Sequence, residues 1–209
     1  MNDELQRLTC GDFTAALASA APTPGGGGAA ALTGALAASL GAMAAAVTAG
    51  NPKFAGAAPE LLDLAAEAGR LRTALLALID ADAQGFAPLA AAYAIPKSDP
   101  ARSSTLAAAS EQACAAPLEM MRRCCEIAEL LENVLVKTSK LLISDVGCGA
   151  QLCRAALTAA SMNVFVNTGA LDTAAKARIE TEAGDMLSQY VPLCDQISDA
   201  AMRRLRGGQ

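Results

Sequence analysis

Residues 23–48 read TPGGGGAAALTGALAASLGAMAAAVT. Pro22, Pro24 and the four glycines Gly25–Gly28 make Ala20–Gly28 a loop. The 20 uncharged residues Ala29–Thr48 then form a helix long enough to span a bilayer. No charged residue occurs between Asp12 and Lys53. Gly34, Ala38 and Gly41 suit close helix contact. Alanine drives membrane insertion far more weakly than Leu, Ile or Phe, and Asn51-Pro52-Lys53 is not a strongly basic flank. The expected state is therefore a helix buried on all sides in a bundle or dimer, with no membrane.

The rest of the chain agrees with that helix. Of 209 residues, 53% are hydrophobic but only 3% aromatic, and Trp is absent. Much of the apolar content is alanine, the best helix former, while β-branched and aromatic strand formers are scarce. The expected fold is all-α: a single-domain bundle of long helices over residues 1–209. Sixteen Lys and Arg against 21 Asp and Glu give a net charge of −5 without a basic stripe, which argues against nucleic acid as a partner. The chain has no His, so Ser-His-Asp and Cys-His catalysis and His-ligated metals are excluded. The seven Cys contain no CxxC, lack metal-ligand spacing and follow no signal peptide. They read as reduced, mostly buried thiols of a cytoplasmic protein, with no metal site.

Capping and breaking residues divide the chain. Thr9-x-x-Asp12 has the form of a capping box and opens a short helix to about Ser19. Gly50-Asn51-Pro52 ends the alanine-rich helix. Pro59 suits the first turn of a long helix to Tyr93, kinked before Pro88. A loop follows at Ile95–Pro100. The next helix runs from Ala101 to Ala116, and Pro117 either kinks it or starts another, which reaches Thr138. Ser144 is the expected N-cap of a helix to Asn167. Asp172 caps the last helix, to Arg204, bent at Pro192.

Four constellations can carry chemistry. Gly25, Gly26, Gly27 and Gly28, entered through Pro24, lead into a helix N-terminus, where backbone N–H groups can meet an anion or a polar oxygen. No strand precedes them and no Gly-Lys-Ser/Thr follows, so neither dinucleotide nor P-loop binding is implied. Asp82, Phe86, Leu89 and Tyr93 share a face of the long helix. A carboxylate on such an apolar face, once buried, rises in pKa and suits acid/base work; the competing reading is a rim Asp paired with Lys or Arg. Tyr93-x-Ile95-Pro96-Lys97 presents Lys97 on a proline-stiffened loop, for a carboxylate or for solvent. Ser144-Asp145 starts a helix that also carries Asn163 and Asn167. Asp145 and Asn163 lie about 27 Å apart along its axis, so one small ligand cannot touch both within one subunit.

In this order, Thr23-Pro24-Gly25-Gly26-Gly27, the alanine-rich helix, Asp82-x-x-x-Phe86, Tyr93-x-Ile95-Pro96-Lys97, Ser144-Asp145-Val146-Gly147 and Asn163-Val164-x-x-Asn167 resemble the cyclodeaminase/cyclohydrolase family. That family includes the cyclodeaminase domain of formiminotransferase-cyclodeaminase and free-standing methenyltetrahydrofolate cyclohydrolases. The resemblance covers essentially the whole chain. It implies a helical homodimer acting on a folate substrate in a cleft, without a metal or redox cofactor. A formiminotransferase domain does not fit within 209 residues, so the folate is expected to arrive by diffusion. Two departures stand out: Gly28 replaces the family's usual Ser, and Cys148-Gly149 replaces more usual aliphatic or Ala residues at what read as packing positions.

The resemblance implies formiminotetrahydrofolate cyclodeaminase as the first reading, with methenyltetrahydrofolate cyclohydrolase as the alternative. Both reactions pass through a tetrahedral carbon and need one positioned acid/base group. The expected catalytic residues are Asp145 or Asp82, with Lys97 holding its charge or the folate carboxylates. Pro24, Gly25–Gly28, Phe86, Asn163 and Asn167 are the expected substrate contacts. A non-catalytic folate-binding helical dimer is the rival from another class.

Overall fold

The computed structural model describes residues 4–207. Six α-helices account for most of them: α1 Cys10–Leu17, α2 Gly26–Ala49, α3 Ala58–Tyr93, α4 Arg102–Lys137, α5 Ile143–Asn167 and α6 Thr173–Leu205. No strand occurs among the described residues.

α2 lies at the centre, against α3, α4 and α5. Its glycines explain how it fits. A Cβ at Gly34 would stand 3.1 Å from Leu75 of α3 and 3.3 Å from Cys124 of α4. One at Gly41 would stand 3.1 Å from Leu130 and Leu131. Ala31, Ala37, Ala38, Ala44 and Ala45 are fully buried between these neighbours. Small residues thus let backbones approach, and leucines from α3 and α4 fill the remaining space. By length and composition α2 and α3 could each cross a membrane; half of α2's most apolar window is buried by its neighbours, and 17% of α3's.

The contacts also fix direction. Gly27 meets Asp82 and Gly34 meets Leu75, so α2 and α3 are antiparallel. Gly26 meets Asn163 and Gly149 meets Ala37, so α2 and α5 are antiparallel as well. The start of α2, the later part of α3, the first half of α4 and the end of α5 therefore gather at one end of the bundle.

Thr9 Oγ1 accepts from Asp12 N, and Asp172 accepts from Ala174 N and Ala175 N, so both expected caps form. Ser144 does not cap α5. A 3-10 turn, Lys140–Leu142, runs directly into that helix, so no capping side chain is required and Ser144 lies exposed in the first turn. α2 starts at Gly26 rather than Ala29, with the glycines as its first turn.

Pro117 neither breaks α4 nor divides it. A proline leaves the carbonyl four residues earlier without its helical donor. That carbonyl is Ala113 O, and Asn167 Nδ2 of α5 donates to it at 3.1 Å. A side chain from the neighbouring helix thus supplies the hydrogen bond that Pro117 removes. One large apolar cluster spans the bundle, and a smaller one at the α3–α4 tip joins Leu89, Ala92, Leu106, Ala109 and Ala113, with Phe86 and Ile95 against it.

Candidate functional site

The gathered helix ends enclose a cavity of about 200 Å³. Pro22, Thr23, Gly25, Gly26, Gly27, Asp82, Phe86, Ala113, Asn163, Val166 and Asn167 line it. Asp82 is the one titratable group among them. Burial raises its carboxyl above the ordinary 3.8, and the Gly28 backbone N–H, directed at the carboxylate, offsets part of that rise.

At two positions neighbouring side chains approach so closely that glycine is favoured, most strongly at Gly27. A Cβ at Gly27 would fall 2.4 Å from both Asp82 carboxylate oxygens. A Cβ at Gly26 would stand 3.3 Å from Asn163 Oδ1. The carboxylate of α3 and the amide of α5 thus lie directly over the first turn of α2. That turn exposes N–H groups without intrahelical partners and carries the positive end of the helix dipole.

The two asparagines divide their atoms between structure and cavity. Asn163 Nδ2 donates to Ala159 O at 2.8 Å, and Asn167 Nδ2 donates to Ala113 O. Their Oδ1 atoms remain as acceptors. Together with Asp82, they make the cavity rich in acceptors, suited to a ligand that presents N–H donors or positive charge. Phe86 supplies an apolar wall. It also packs in the small α3–α4 cluster, as does Ala113, so that cluster supports two walls of the cavity.

The other expected residues lie elsewhere. Pro24 is buried behind the turn, across a cis Thr23–Pro24 peptide, and does not line the cavity. Gly28 faces away: its Cβ position lies 3.4 Å from Pro24, 3.6 Å from Ile79 and 3.7 Å from Phe13, all ordinary contacts. Only its N–H turns toward Asp82, so a hydroxymethyl group there would leave Cα on the packing side, away from the cavity. Lys97 is exposed in the α3–α4 loop. It lies beyond Tyr93, which is itself about 16 Å along α3 from Asp82, and is not brought to that carboxylate. Tyr93 shares the helical spacing but is 57% exposed, although its neighbour Ala92 is buried in the small α3–α4 cluster. Asp145 sits in the first turn of α5, at the opposite end from Asn163 and Asn167. The chain therefore brings Asp82, Phe86, Asn163, Asn167 and three of the glycines together, without Asp145 or Lys97.

Pro22, Thr23, Ala113 and Val166 line the cavity without having been singled out as contacts. Ala113 had a sequence signal: it stands four residues before Pro117. Cys148 is exposed, contrary to the packing role expected of it, whereas Gly149 is buried, and a Cβ there would stand 3.4 Å from Ala37 O. Five of the seven thiols are buried and all are free. Among the described residues no three His, Cys, Asp or Glu groups stand together as metal ligands.

The family model for formiminotransferase-cyclodeaminase matches residues 9–185. The chain belongs to that family. It is 37% identical over 169 residues to a methenyltetrahydrofolate cyclohydrolase of Methylorubrum extorquens, spanning 79% of this chain and 81% of the relative. It is 27% identical over 189 residues to the formimidoyltransferase-cyclodeaminase of Gallus gallus, spanning 87% of this chain but only 34% of that longer protein. The crystal structure of a formiminotetrahydrofolate cyclodeaminase from Thermotoga maritima superposes with a TM-score of 0.83 over 98% of both chains, at 24% identity. That likeness establishes the fold of this family member.

Proposed function

We propose that the chain is a folate one-carbon enzyme, a 5,10-methenyltetrahydrofolate cyclohydrolase, with Asp82 as its acid/base. The observation that carries this reading is a single half-buried carboxylate, raised in pKa, in an acceptor-lined cavity. The methenyl substrate suits it: its bridging carbon lies in a cationic amidinium, and its pteridine edge presents N–H donors. A cavity of about 200 Å³ takes one end of such a ligand. It is smaller than the roughly 300–1,000 Å³ of sites that enclose a drug-sized molecule, so the glutamate end would extend outside.

Water adds to the methenyl carbon while Asp82 takes its proton. The tetrahedral carbon then opens at its bond to N5: N5 receives that proton, the carbinol hydroxyl gives its own proton to the freed Asp82 carboxylate as the formyl C=O forms, and 10-formyltetrahydrofolate leaves while this second proton passes to solvent. Asn163 Oδ1 and Asn167 Oδ1 would hold ligand N–H groups, and Phe86 would pack on the ring. No metal or cofactor is invoked. Lys97, placed at the loop, would meet folate carboxylates rather than Asp82.

The hydrolase stands ahead of the cyclodeaminase because of the 37% identical relative. The deaminase keeps support from the family and the Gallus gallus relative. In that reaction N10 attacks the formimino carbon of 5-formiminotetrahydrofolate, and the same carboxyl would move the N10 proton to the departing ammonia. Absorbance of 5,10-methenyltetrahydrofolate separates the two. Enzyme-dependent loss from the methenyl compound supports the hydrolase; appearance from 5-formiminotetrahydrofolate, with ammonia, supports the deaminase. Binding without turnover of either would leave the folate-binding dimer.

A homodimer is part of the proposal. Leu36 and Val47 on α2 are half exposed, and Met162 and Val166 on α5 about 70% exposed, on helices that pack together. A second copy covering these side chains would shield them, and light scattering after gel filtration reads the mass directly.

A further inference from the structure

Asp80 and Asp82 stand two residues apart on α3, so their side chains leave the helix about 200° apart. They cannot serve one ligand. Asp82 faces the first turn of α2. Asp80 Oδ1 instead accepts the backbone N–H of Leu5 at 2.7 Å, across 75 residues of chain. Its other oxygen, Oδ2, is buried with no partner. Keeping such an atom out of water is costly, which calls for a reason beyond surface solvation.

The reason lies in what Leu5 begins. It opens a 3-10 turn, Leu5–Arg7, that packs on α3. α1 follows, and its one buried residue, Phe13, reaches under the glycine turn beside Ile79. Thr23, further along the same segment, lines the Asp82 cavity. It also lines a second cavity of about 370 Å³, shared with Glu4, Leu5, Asp80 and Gln84. Residues 5–28 thus form a strap that leaves α3 at Asp80, passes under Gly28 and returns to α3 at Asp82. The ion pair Arg7–Glu4 joins the strap only to the residue before it and is exposed, so it does not tie the strap to the bundle.

We propose that Asp80 is a positioning residue for the Asp82 centre: by anchoring Leu5 it holds residues 5–28 against α3 and sets where Thr23 and the Gly26–Gly28 turn face Asp82. The inference rests on the reading of the Asp82 cavity as the reaction centre. Charged groups near Asp80 are Glu4, just before the strap, and Arg7 within it.

Asp80→Ala removes the acceptor, whereas Asp80→Asn keeps an oxygen for the Leu5 N–H. For Asp80→Ala we expect kcat to fall about 10- to 100-fold, with a smaller change in KM, as for a misplaced reacting group. The turnover–pH profile should move to lower pH as water reaches Asp82. Amide exchange at Gly27 and Gly28, read by NMR, should accelerate about tenfold or more. Asp80→Asn should stay within about threefold of the parent in all three readouts, because the anchor survives. If Asp80→Ala does not fold, Leu5→Pro removes the donor instead, at a first-turn position that tolerates proline, and should give the same three changes. Unchanged exchange and an unchanged pH profile in a folded anchor variant would overturn the proposal, as would Asp80→Asn behaving like Asp80→Ala. A parent protein inactive on both folates would instead defeat the proposed function, while the exchange measurement would still decide the anchor.

Discussion

The two ends of α5 carry similar sequence signals and meet different fates. At its start, Asp145 follows a serine and sits among apolar residues; at its end, Asn163 and Asn167 stand one turn apart. The end enters the acceptor-lined cavity, because α2 begins there and α3 passes beside it with Asp82; the start lines an apolar cavity of about 520 Å³ against α6, which Asp145 does not join. The start lies at the end of the bundle where α2, α4 and α6 finish. A polar motif becomes a site when another element closes over it, and the sequence of one helix does not say which end that will be.

The sharpest way to break this contrast is to neutralise both carboxylates in turn. Asp82→Asn should lower turnover by about 100-fold or more, as for loss of a general acid/base. Asp145→Asn should leave it within about threefold, as for a group outside the reacting assembly. An equal collapse in both, measured by steady-state kinetics, would mean that Asp145 of a second copy completes the cavity, and the two ends of α5 would then belong to one site.

A comparison within the glycine turn comes next. Gly27→Ala places a methyl 2.4 Å from the Asp82 oxygens, so the carboxylate must move. Turnover should drop about 10- to 100-fold, the cost of misplacing a reacting group by about an ångström. In Gly28→Ser the added Cβ meets only ordinary contacts. It should keep turnover within about threefold and lose no stability, since a side chain at a helical glycine position recovers backbone entropy. A large loss of activity in Gly28→Ser would show that the residue at 28 reaches the substrate after all.

This pair of glycines shows how much of the site was legible. The alanine-rich stretch, the long helices and the order of the motifs follow from local chemistry: propensity, breakers and caps. Asp82 with Phe86 was also legible, since i and i+4 share a helix face wherever the helix goes. The separation of Asp145 from Asn163 followed from helical rise alone. Which of four successive glycines touches a carboxylate was not, because that depends on how α2 and α3 cross. The continuity of α4 through Pro117 was hidden for the same reason, since its remedy comes from Asn167, 50 residues later.

That remedy gives a stability prediction that separates structure from binding in Asn167. Asn167→Ala should cost about 1–3 kcal/mol by leaving Ala113 O unpaired and buried, read from urea unfolding. In a Pro117→Ala background residue 117 regains its N–H, the helix satisfies Ala113 O, and the same substitution should cost about 1 kcal/mol less, a coupling typical of groups in contact. Equal costs in the two backgrounds would mean that Asn167 does not replace the proline's missing bond.

The smallest effect separates the two carboxylates by pH. Asp82 is raised in the folded state by burial. The folded protein therefore holds this proton more tightly than the unfolded chain, and the linkage runs opposite to that of a salt-bridged Asp. Below the ordinary carboxylate value both states are protonated and burial costs little. As pH rises through the raised value, the buried charge must form, and Asp82 withdraws stability. Asp82→Asn should therefore be more stable than the parent near neutrality, by about 1 kcal/mol for each unit of upward shift. The two should converge as pH falls below about 4, near the ordinary Asp value. Asp145, half-exposed in the first turn of a helix, should show no such gain on neutralisation. Thermal unfolding of the three proteins at pH 4 and 7 reads the difference. An Asp82→Asn protein less stable than the parent at pH 7 would mean that the carboxylate caps α2 more strongly than burial opposes it, and would place its chief role in holding the glycine turn.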